Sequence, residues 1–365
     1  MSTCLSGQQD TARNGDRLAR SVVAARRGFG LACVYGRSGG GDTLLNLRVS
    51  STAMSSETPQ GQLTQADWTL LLSRIEAGAC TPFIGAGVHD GLTPLPGDIA
   101  MQWAEAHAYP LEDRWNLARV AQFMAIEKGS RWPRNELAAA FIEAKSALPA
   151  DAEAAPEAEA LRALAELPFR TYVTTTPDDR IKRSLQAHSA RHGGKTHARR
   201  PRADFCRWHE ALRSSSLATT FEEDPHYVPT VEEPFVFHLH GQIAVAESLV
   251  VAEDDHFDML VATARHPSLI PPSVQRALRG GPVLLLGQPL SDWNFRVLLR
   301  SLCGGDFSGL QAGSVSVHVK PADADDGLLR YLERLFAKLH IKVYWGTPHE
   351  FLHELRERWS AAQSK

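Results

Sequence analysis

Cysteine is scarce in this sequence, and the cysteines are not arranged in pairs. Among 365 residues there are five cysteines, and no two of them form a Cys-x-x-Cys motif. A zinc ribbon requires two such thiolate pairs, and a secreted disulfide framework requires an even, regularly spaced set. We therefore expect no zinc or other metal site, and we expect the protein in a reducing compartment, the cytoplasm. The five residues are Cys4, Cys33, Cys80, Cys206 and Cys303.

Long hydrophobic runs and an excess of basic residues are also absent. The apolar run at residues 282–286, like every other in the sequence, is far shorter than the ~20 residues that cross a bilayer. Lys and Arg together number 39 against 42 Asp and Glu, for a formal net charge of -3. General nucleic-acid binders carry a strong basic excess. We therefore expect neither a membrane span nor direct binding of nucleic acid.

Residues 1–60 differ in composition from the remainder of the chain. They are rich in Ser, Gly and Arg, poor in acidic residues and without a sustained hydrophobic period. This composition is typical of a disordered tail, and an organelle transit peptide shares it. A start codon placed upstream of a true start at Met54 would produce the same pattern. We expect residues 1–60 to be an extension outside the folded domain, which then covers residues 61–365.

From residue 63 onwards, short apolar runs alternate with amphipathic segments. Such alternation predicts strands in a parallel sheet with helices on both faces, so the predicted fold class is α/β with a Rossmann-like sheet. Successive helical patterns without an intervening strand predict a helical insertion at about residues 98–166. Its last part, residues 150–166, is expected to be a surface helix. The predicted strands end at residues 84, 173, 240, 251, 286, 319 and 344.

The turn after the first predicted strand is rich in glycine. Phe83 and Ile84 end the strand, and Gly85, Ala86 and Gly87 follow directly. Glycine permits a sharp turn and a close approach of the backbone to a ligand, and the N–H groups of a following helix favour an anion such as a pyrophosphate. The six-residue dinucleotide fingerprint is incomplete, because its third glycine is absent. A nucleotide-binding turn and an ordinary tight turn both remain open.

Polar residues follow three further strands at the point where each strand ends. The first has three threonines and two carboxylates, the second a histidine followed by glycine, and the third the segment 287–292. Open α/β sheets bind ligands at the carboxyl ends of their strands. A histidine there is a candidate base at neutral pH, while the carboxylates also suit a helix N-cap. The candidates are Thr174, Thr175, Thr176, Asp178, Asp179, His240, Gly287 and Asp292.

In this order, the four loop segments resemble the sirtuin-like (SIR2-like) domain of bacterial NAD-consuming proteins, many of which are anti-phage defence effectors. The likeness extends to residues 205–208 (FCRW), 248–255 (SLVVAEDD) and 291–296 (SDWNFR), and it covers roughly residues 65–360. The resemblance implies a Rossmann-like sheet with an inserted helical module, and NAD as the substrate.

The resemblance also implies roles for individual residues. The implied catalytic residues are His240 as the base, Thr176 at the position of the family's catalytic asparagine, and Asp178, which orients the ribose on the nicotinamide side. The implied cofactor-binding residues are Gly85, Ala86 and Gly87 at the pyrophosphate, His89 beside the ribose, and Gly287 and Asp292 near the adenosine. Thr174 and Thr175 are further candidates for binding the cofactor.

Two residues depart from the family's pattern. The family usually has Asn at the position of Thr176, where the carboxamide helps to place the ribose and the attacking water. Threonine offers one hydroxyl in place of that carboxamide. The family also tends to have Ser at the position of His89, where the bulkier histidine either crowds the ligand or reaches it. Both departures bear on catalysis more than on the fold.

Two functions follow from these residues. The first is an NAD+ glycohydrolase that releases nicotinamide and ADP-ribose as a bacterial defence effector. The second is a module that binds NAD or a related nucleotide without turnover and assembles with partners. Expected partners are the nucleotide and either further copies of the chain or a defence-system protein. A scaffold that has lost its site is a third reading. Protein deacylation is disfavoured, because its zinc ribbon needs paired cysteines.

Overall fold

The computed structural model describes residues 62–147, 158–288, 293–302, 312–320 and 324–364. The chain divides into two compact units. The larger comprises residues 56–319 and 331–365 and contains every strand and every site residue discussed below. The other includes residues 320–330, within which the helix Asp326–Ala337 begins. The predictions for residues 1–60 and for Asp292 lie outside the described residues.

The larger unit is built around a seven-stranded sheet. The strands are β1 (Thr81–Ile84), β2 (Thr171–Thr174), β3 (Ala190–His192), β4 (Lys195–His197), β5 (Arg202–Phe205), β6 (Phe235–His238), β7 (Val283–Leu286), β8 (Ser314–His318) and β9 (Ile341–Trp345). β3 and β4 form a separate antiparallel hairpin. The other seven lie in the order β5-β6-β2-β1-β7-β8-β9, and every neighbouring pair is parallel.

Helices connect the strands. They are α1 (Gln65–Glu76), α2 (Pro96–Ala106), α3 (Leu117–Lys128), α4 (Trp132–Ala147), α5 (Glu159–Glu166), α6 (Arg180–Ala187), α7 (Glu210–Arg213), α8 (Thr220–Glu223), α9 (Glu253–Arg265), α10 (Pro272–Gly280), α11 (Trp293–Leu302), α12 (Asp326–Ala337) and α13 (Pro348–Gln363). Within the described ranges, short 3₁₀ turns lie at Ala86–His89, Ala246–Ser248 and Pro267–Leu269. No helix among the described residues is long and apolar enough to cross a membrane.

Both faces of the sheet are buried, as the continuous apolar strands predict. Strand alternation sends Phe83 of β1 to one face and the adjacent Ile84 to the other, and the two residues belong to different hydrophobic clusters. The Ile84 cluster includes Trp68 of α1 and Phe351 of α13, while the Phe83 cluster includes Val274 of α10. The parallel sheet covered on both faces confirms the predicted Rossmann-like α/β fold class.

Helices α2, α3 and α4 have a hydrophobic cluster of their own. It contains Trp103, Val120 and Phe141, one from each helix, together with Leu249 and Val251 from the segment after β6. Each helix contributes residues at helical spacing to this cluster.

The chain reverses its direction across the sheet between β1 and β7. From β1 it proceeds through β2 to the β5 edge, and it then returns to β7 on the other side of β1 and continues to β9. In open α/β sheets this switch point is where loops diverge at the carboxyl edge and a ligand binds. The loops after β6, β2, β1 and β7 follow four adjacent strands around this point.

Three sequence-based expectations about elements are wrong. The strand β5 was not expected, because only two of its four residues are buried at the sheet edge and its alternation is short. Residues 247–251 form no strand, since a 3₁₀ turn occupies Ala246–Ser248. Helix α5 is not a surface helix, because its small residues pack closely and Ala160, Leu161, Ala163, Leu164 and Ala165 are buried.

Candidate active site

The predicted site residues lie on loops at the carboxyl ends of four neighbouring strands. The glycine turn follows β1, the threonine segment follows β2, His240 follows β6, and Gly287 follows β7. Because these strands are adjacent and parallel, their carboxyl ends share one edge of the sheet. The four loop segments, which are far apart in the sequence, are therefore neighbours in space.

The glycine turn packs against the loop after β7. The N–H of Gly85 donates to Leu286 O at 2.8 Å, and the N–H of Gly87 donates to Gly287 O at 3.2 Å. A Cβ on Gly85 would lie 2.5 Å from Gly287 O, so the two backbones approach too closely for a side chain. This contact explains the glycines without a ligand. Ala86 and Gly87 remain partly exposed, whereas Gly85 is buried.

The three threonines after β2 connect the loops of the neighbouring strands. The N–H of Thr175 donates to Ile84 O of β1 at 3.0 Å. Thr175 Oγ1 accepts from Gln288 Nε2 at 3.1 Å, which ties the β2 loop to the β7 loop. Thr174 Oγ1 lies 2.8 Å from Thr176 Oγ1 and accepts from the N–H of Thr176 at 3.0 Å. These bonds hold the Thr176 hydroxyl in one orientation.

Thr176, His89 and Asp178 form a buried polar cluster. Thr176 Oγ1 lies 3.5 Å from His89 Nε2, and His89 Nδ1 lies 3.4 Å from Asp178 Oδ2. The three residues are 4%, 0% and 5% exposed. His89 is drawn inside because its neighbours Val88 and Leu92 belong to the hydrophobic core. Burial lowers the pKa of His89, and the charge of Asp178 opposes that effect.

Asp178 has two roles, one for each oxygen. Its Oδ1 accepts from the N–H of Arg180 at 2.9 Å, so it satisfies a donor in the first turn of α6, as the capping interpretation predicts. Its Oδ2 faces His89 and is buried without a hydrogen-bond partner, as is His89 Nδ1. The separation of 3.4 Å is therefore a charge contact without hydrogen-bond alignment.

His238 belongs to this cluster although the sequence analysis does not identify it. Its Nδ1 lies 3.0 Å from Thr176 O, and because a carbonyl only accepts, Nδ1 carries the proton and donates. Burial lowers the pKa of His238, while the bond to Thr176 opposes the shift. The signal in the sequence was the alternation of β6, which places His238 on the same face as His240.

His240 lies on the same sheet edge, next to Leu239, whose N–H donates to Thr174 O at 2.8 Å. Its ring stands perpendicular to the ring of His256, with centroids 5.3 Å apart. Its Nε2 is buried and has no hydrogen-bond partner. Burial, with a smaller effect of His256, lowers the pKa of His240 to about 3, so the ring is neutral at pH 7. A buried, unpaired acceptor costs free energy unless a ligand donates to it.

The chemistry of these groups suits a sugar hydroxyl and a cation. The site offers a neutral imidazole acceptor on His240, the hydroxyl of Thr176 and one carboxylate on Asp178. Hydroxyls of a ribose can donate to the first two groups, and the carboxylate can stabilise a positive charge that develops nearby. Of the sequence-predicted residues, those after β1, β2 and β7 are in mutual contact. The contacts of His240 do not reach them.

Comparison with known proteins shows which family part of this chain is similar to. Residues 170–343 match the sequence model of the SIR2-like domain. A solved structure titled "Structural Basis for the Mechanism and Regulation of Sir2 Enzymes" aligns with 81% of this chain and 99% of its own length, at 13% identity and a TM-score of 0.32. The comparison with curated proteins found no match. The sequence match runs from β2 into β9, and over these residues the chain is similar to the SIR2-like domain.

Proposed function

We propose that this chain binds NAD+ at the shared carboxyl edge of β6, β2, β1 and β7 and hydrolyses it to nicotinamide and ADP-ribose. One observation carries the proposal. Three polar atoms at this edge are buried without hydrogen-bond partners, namely His240 Nε2, His89 Nδ1 and Asp178 Oδ2. Unpaired buried polar atoms are rare and costly. His89 Nδ1 and Asp178 Oδ2 face each other at 3.4 Å, whereas His240 Nε2 has no such neighbour, and a ligand that donates to it would account for its burial.

The proposed reaction breaks the bond between nicotinamide and C1′ of the ribose. The pyridinium leaves with the bonding electron pair, so the enzyme needs to hold the ribose, stabilise the cationic sugar and supply a water molecule. His240 Nε2 would accept from a ribose hydroxyl, and Asp178 would stabilise the positive charge. Ala86 and Gly87 are the exposed part of the glycine turn and would lie nearest to the pyrophosphate.

The proposed biological role follows from the resemblance to anti-phage proteins. We propose that a partner triggers NAD+ depletion, and that the chain acts in the cytoplasm as a homo-oligomer or with a defence-system protein. Two described cysteines, Cys80 and Cys206, are buried free thiols, which is compatible with a reducing compartment. Direct nucleic-acid binding is not part of the proposal, given the formal net charge of -3.

A second candidate function is NAD binding without hydrolysis. It is favoured by the position of His89, which is fully buried beside Thr176 and Asp178 where the resembled family has a small serine. An imidazole in that place reduces the room for the ribose and its attacking water. In this case the nucleotide would act as a signal that changes assembly.

Nicotinamide release distinguishes the two functions. The full-length chain in its assembled, triggered state is incubated with NAD+, and nicotinamide is followed by chromatography, for the wild type and for His240→Ala. Hydrolysis predicts release that the substitution lowers by ~100-fold or more. Calorimetric titration with NAD+ and ADP-ribose then measures binding. Binding without release supports the second function, and the absence of both binding and release contradicts both functions.

A further inference from the structure

The side chains of Asp178, His89 and Thr176 lie next to one another in space, with the imidazole between the carboxylate and the hydroxyl. The two separations are 3.4 Å at His89 Nδ1 and 3.5 Å at His89 Nε2, so the carboxylate and the hydroxyl lie on opposite nitrogens of one ring. Carboxylate, imidazole and hydroxyl in this order are the arrangement by which enzymes remove a proton from an oxygen. Separations in a ligand-free site are often longer than in the reacting complex.

Asp178 favours the tautomer of His89 that this arrangement requires, with the proton on Nδ1. A bare Nδ1 would place its lone pair 3.4 Å from the Asp178 carboxylate, which is unfavourable, whereas a protonated Nδ1 is attracted to it. The proton of the neutral ring therefore lies on Nδ1, and Nε2 is left as the acceptor for Thr176. The single hydroxyl proton of Thr174 has two acceptors within reach, Ile84 O at 3.1 Å and Thr176 Oγ1 at 2.8 Å. Ile84 O also accepts from the N–H of Thr175 at 3.0 Å, so the Thr174 proton can turn to Thr176 Oγ1, and that orientation frees the proton of Thr176 for His89.

Burial determines which member of the cluster meets the solvent or a ligand. Thr176 retains 4% of its exposure, whereas His89 has 0%. His89 therefore has no exposed surface of its own, and a proton from a water molecule or a ribose would pass to its Nε2 through the Thr176 hydroxyl. His240, by comparison, is a partly exposed residue whose ring packs on that of His256, and among the described residues no hydrogen bond or ring contact joins it to Thr176. Burial, with a smaller effect of His256, lowers its pKa to about 3.

We propose that His89, oriented by Asp178 and reached through the Thr176 hydroxyl, is the proton acceptor of this site. The inference rests on the proposed NAD+ hydrolysis. The water oxygen forms a bond to C1′ while the C1′–N bond breaks and its electron pair leaves with nicotinamide. One water proton passes to Thr176 Oγ1, and the Thr176 proton passes to His89 Nε2. The resulting imidazolium is paired with the Asp178 carboxylate and later returns its proton to solvent.

The first test removes the hydroxyl without changing the shape of the side chain. Thr176→Val should lower the rate of nicotinamide release by ~100-fold or more, because a relay for general-base catalysis is lost. Thr176→Ser should recover most of the rate, since it restores a hydroxyl. Thr263→Val is the matched control, because Thr263 is also buried and its hydroxyl bonds only within α9, to Met259 O and Leu260 O.

The results separate this inference from the proposed function. Release by the wild type and an equal rate for Thr176→Val would overturn the relay and leave the hydrolase standing. A wild-type protein that binds NAD+ but releases no nicotinamide would overturn both. A loss confined to Thr176→Val, with Thr176→Ser and Thr263→Val active, supports the relay.

The second test identifies the base by its pH dependence. The charges that face His89 are Asp178, which raises its pKa, and Arg180 and His349, which lower it; His238 lies next to it on β6. Asp178→Asn removes the charge that raises the pKa of His89, so the acid limb of the pH–rate profile should move to lower pH. His240→Asn should lower the rate but leave the pH of the acid limb unchanged. The opposite pattern would assign the base to His240 and overturn the inference.

A third measurement needs no activity. Nitrogen-15 NMR of the imidazoles reports which ring nitrogen carries the proton. Nδ1–H on His89 in the wild type, and a change of tautomer in Asp178→Asn, are expected. Nε2–H on His89 in the wild type would contradict the relay even if the enzyme is active.

Discussion

Thr176 Oγ1 lies 3.5 Å from His89 Nε2, and this contact joins the loop after β2 to the turn after β1. The resembled family usually has Ser at position 89 and Asn at position 176. This chain therefore has a larger side chain at position 89 and a shorter one at position 176. Since the two side chains touch, the two departures are physically linked. The histidine occupies space beside a threonine that lacks the reach of a carboxamide.

The contact predicts that the two replacements depend on each other for stability. His89→Ser should lower the free energy of unfolding by about 2 kcal/mol or more because it leaves a buried cavity. Thr176→Asn should lower it by about 1–3 kcal/mol because it overfills the space beside His89. The double variant should lose less than the sum of the two by about 0.5–3 kcal/mol. Urea unfolding of the four proteins measures this coupling, and strictly additive losses would contradict it.

The fold could be predicted from the sequence to a large extent. Strands such as residues 282–286 are short, apolar and followed by glycine, so their type and order are readable from local pattern alone. Strand β5 is not readable in this way, because it lies at the sheet edge and its residues Arg202–Phe205 are only partly buried. Edge strands owe their structure to the neighbouring strand more than to their own residues.

The candidate site was less predictable than the fold. Position at a strand end identifies Thr176, Asp178 and His240, but it does not say which side chains touch. The approach of His89 to Asp178 depends on core packing around Val88, which no local pattern encodes. The same holds for the hydrogen bond from His238 to Thr176 O, formed between residues 62 positions apart.

The close approach of two loops predicts a strict need for glycine at position 287. Gly287 has φ of +68°, and a Cβ there would lie 2.7 Å from Val88 N. Gly287→Ala should lower the free energy of unfolding by about 1–3 kcal/mol through backbone strain and should weaken NAD+ binding, because it displaces the glycine turn. Urea unfolding and calorimetric titration measure the two effects.

Gly280→Ala is the matched control for this substitution. Gly280 ends α10, and a Cβ there would meet nothing within 4 Å. Equal behaviour of the two alanine variants would show that the contact between the β1 and β7 loops does not restrict the backbone.

The buried histidines predict that stability falls in mild acid. Burial lowers the pKa of His89, His238, His240 and His318, so the folded state resists protonation. Below the unfolded pKa of ~6.5 the unfolded chain binds more protons than the folded chain, so the free energy of unfolding decreases as pH falls toward the folded pKa values. Each fully neutral histidine contributes a loss of about 2 kcal/mol at pH 5.

Urea midpoints between pH 8 and pH 4 measure this dependence. The midpoint should be flat above pH 7 and should fall steadily below it. His318→Gln should flatten part of the slope, because burial holds the pKa of His318 at about 4 in the folded protein. An unchanged midpoint between pH 7 and pH 5 would contradict the buried, neutral state of these rings.

His240 and His318 provide a matched pair that distinguishes a ligand-binding histidine from a structural one. His240 Nε2 has no partner, whereas His318 Nε2 lies 2.6 Å from Ser316 Oγ. Replacing His240 by Phe removes an unsatisfied buried group and should raise the free energy of unfolding by about 1 kcal/mol. The same replacement at His318 leaves the Ser316 hydroxyl unpaired and should lower it by about 1–3 kcal/mol.

The effects on nucleotide binding should be reversed. His240→Phe should weaken NAD+ binding by ~10-fold or more, since the ribose loses its acceptor, while the affinity of His318→Phe should change less. If His240→Phe raises the free energy of unfolding and weakens NAD+ binding, the His240 acceptor costs stability and serves to bind the ligand. If His240→Phe destabilises the fold as much as His318→Phe and binds NAD+ normally, His240 is a structural residue and the edge beside β6 is not part of the binding site.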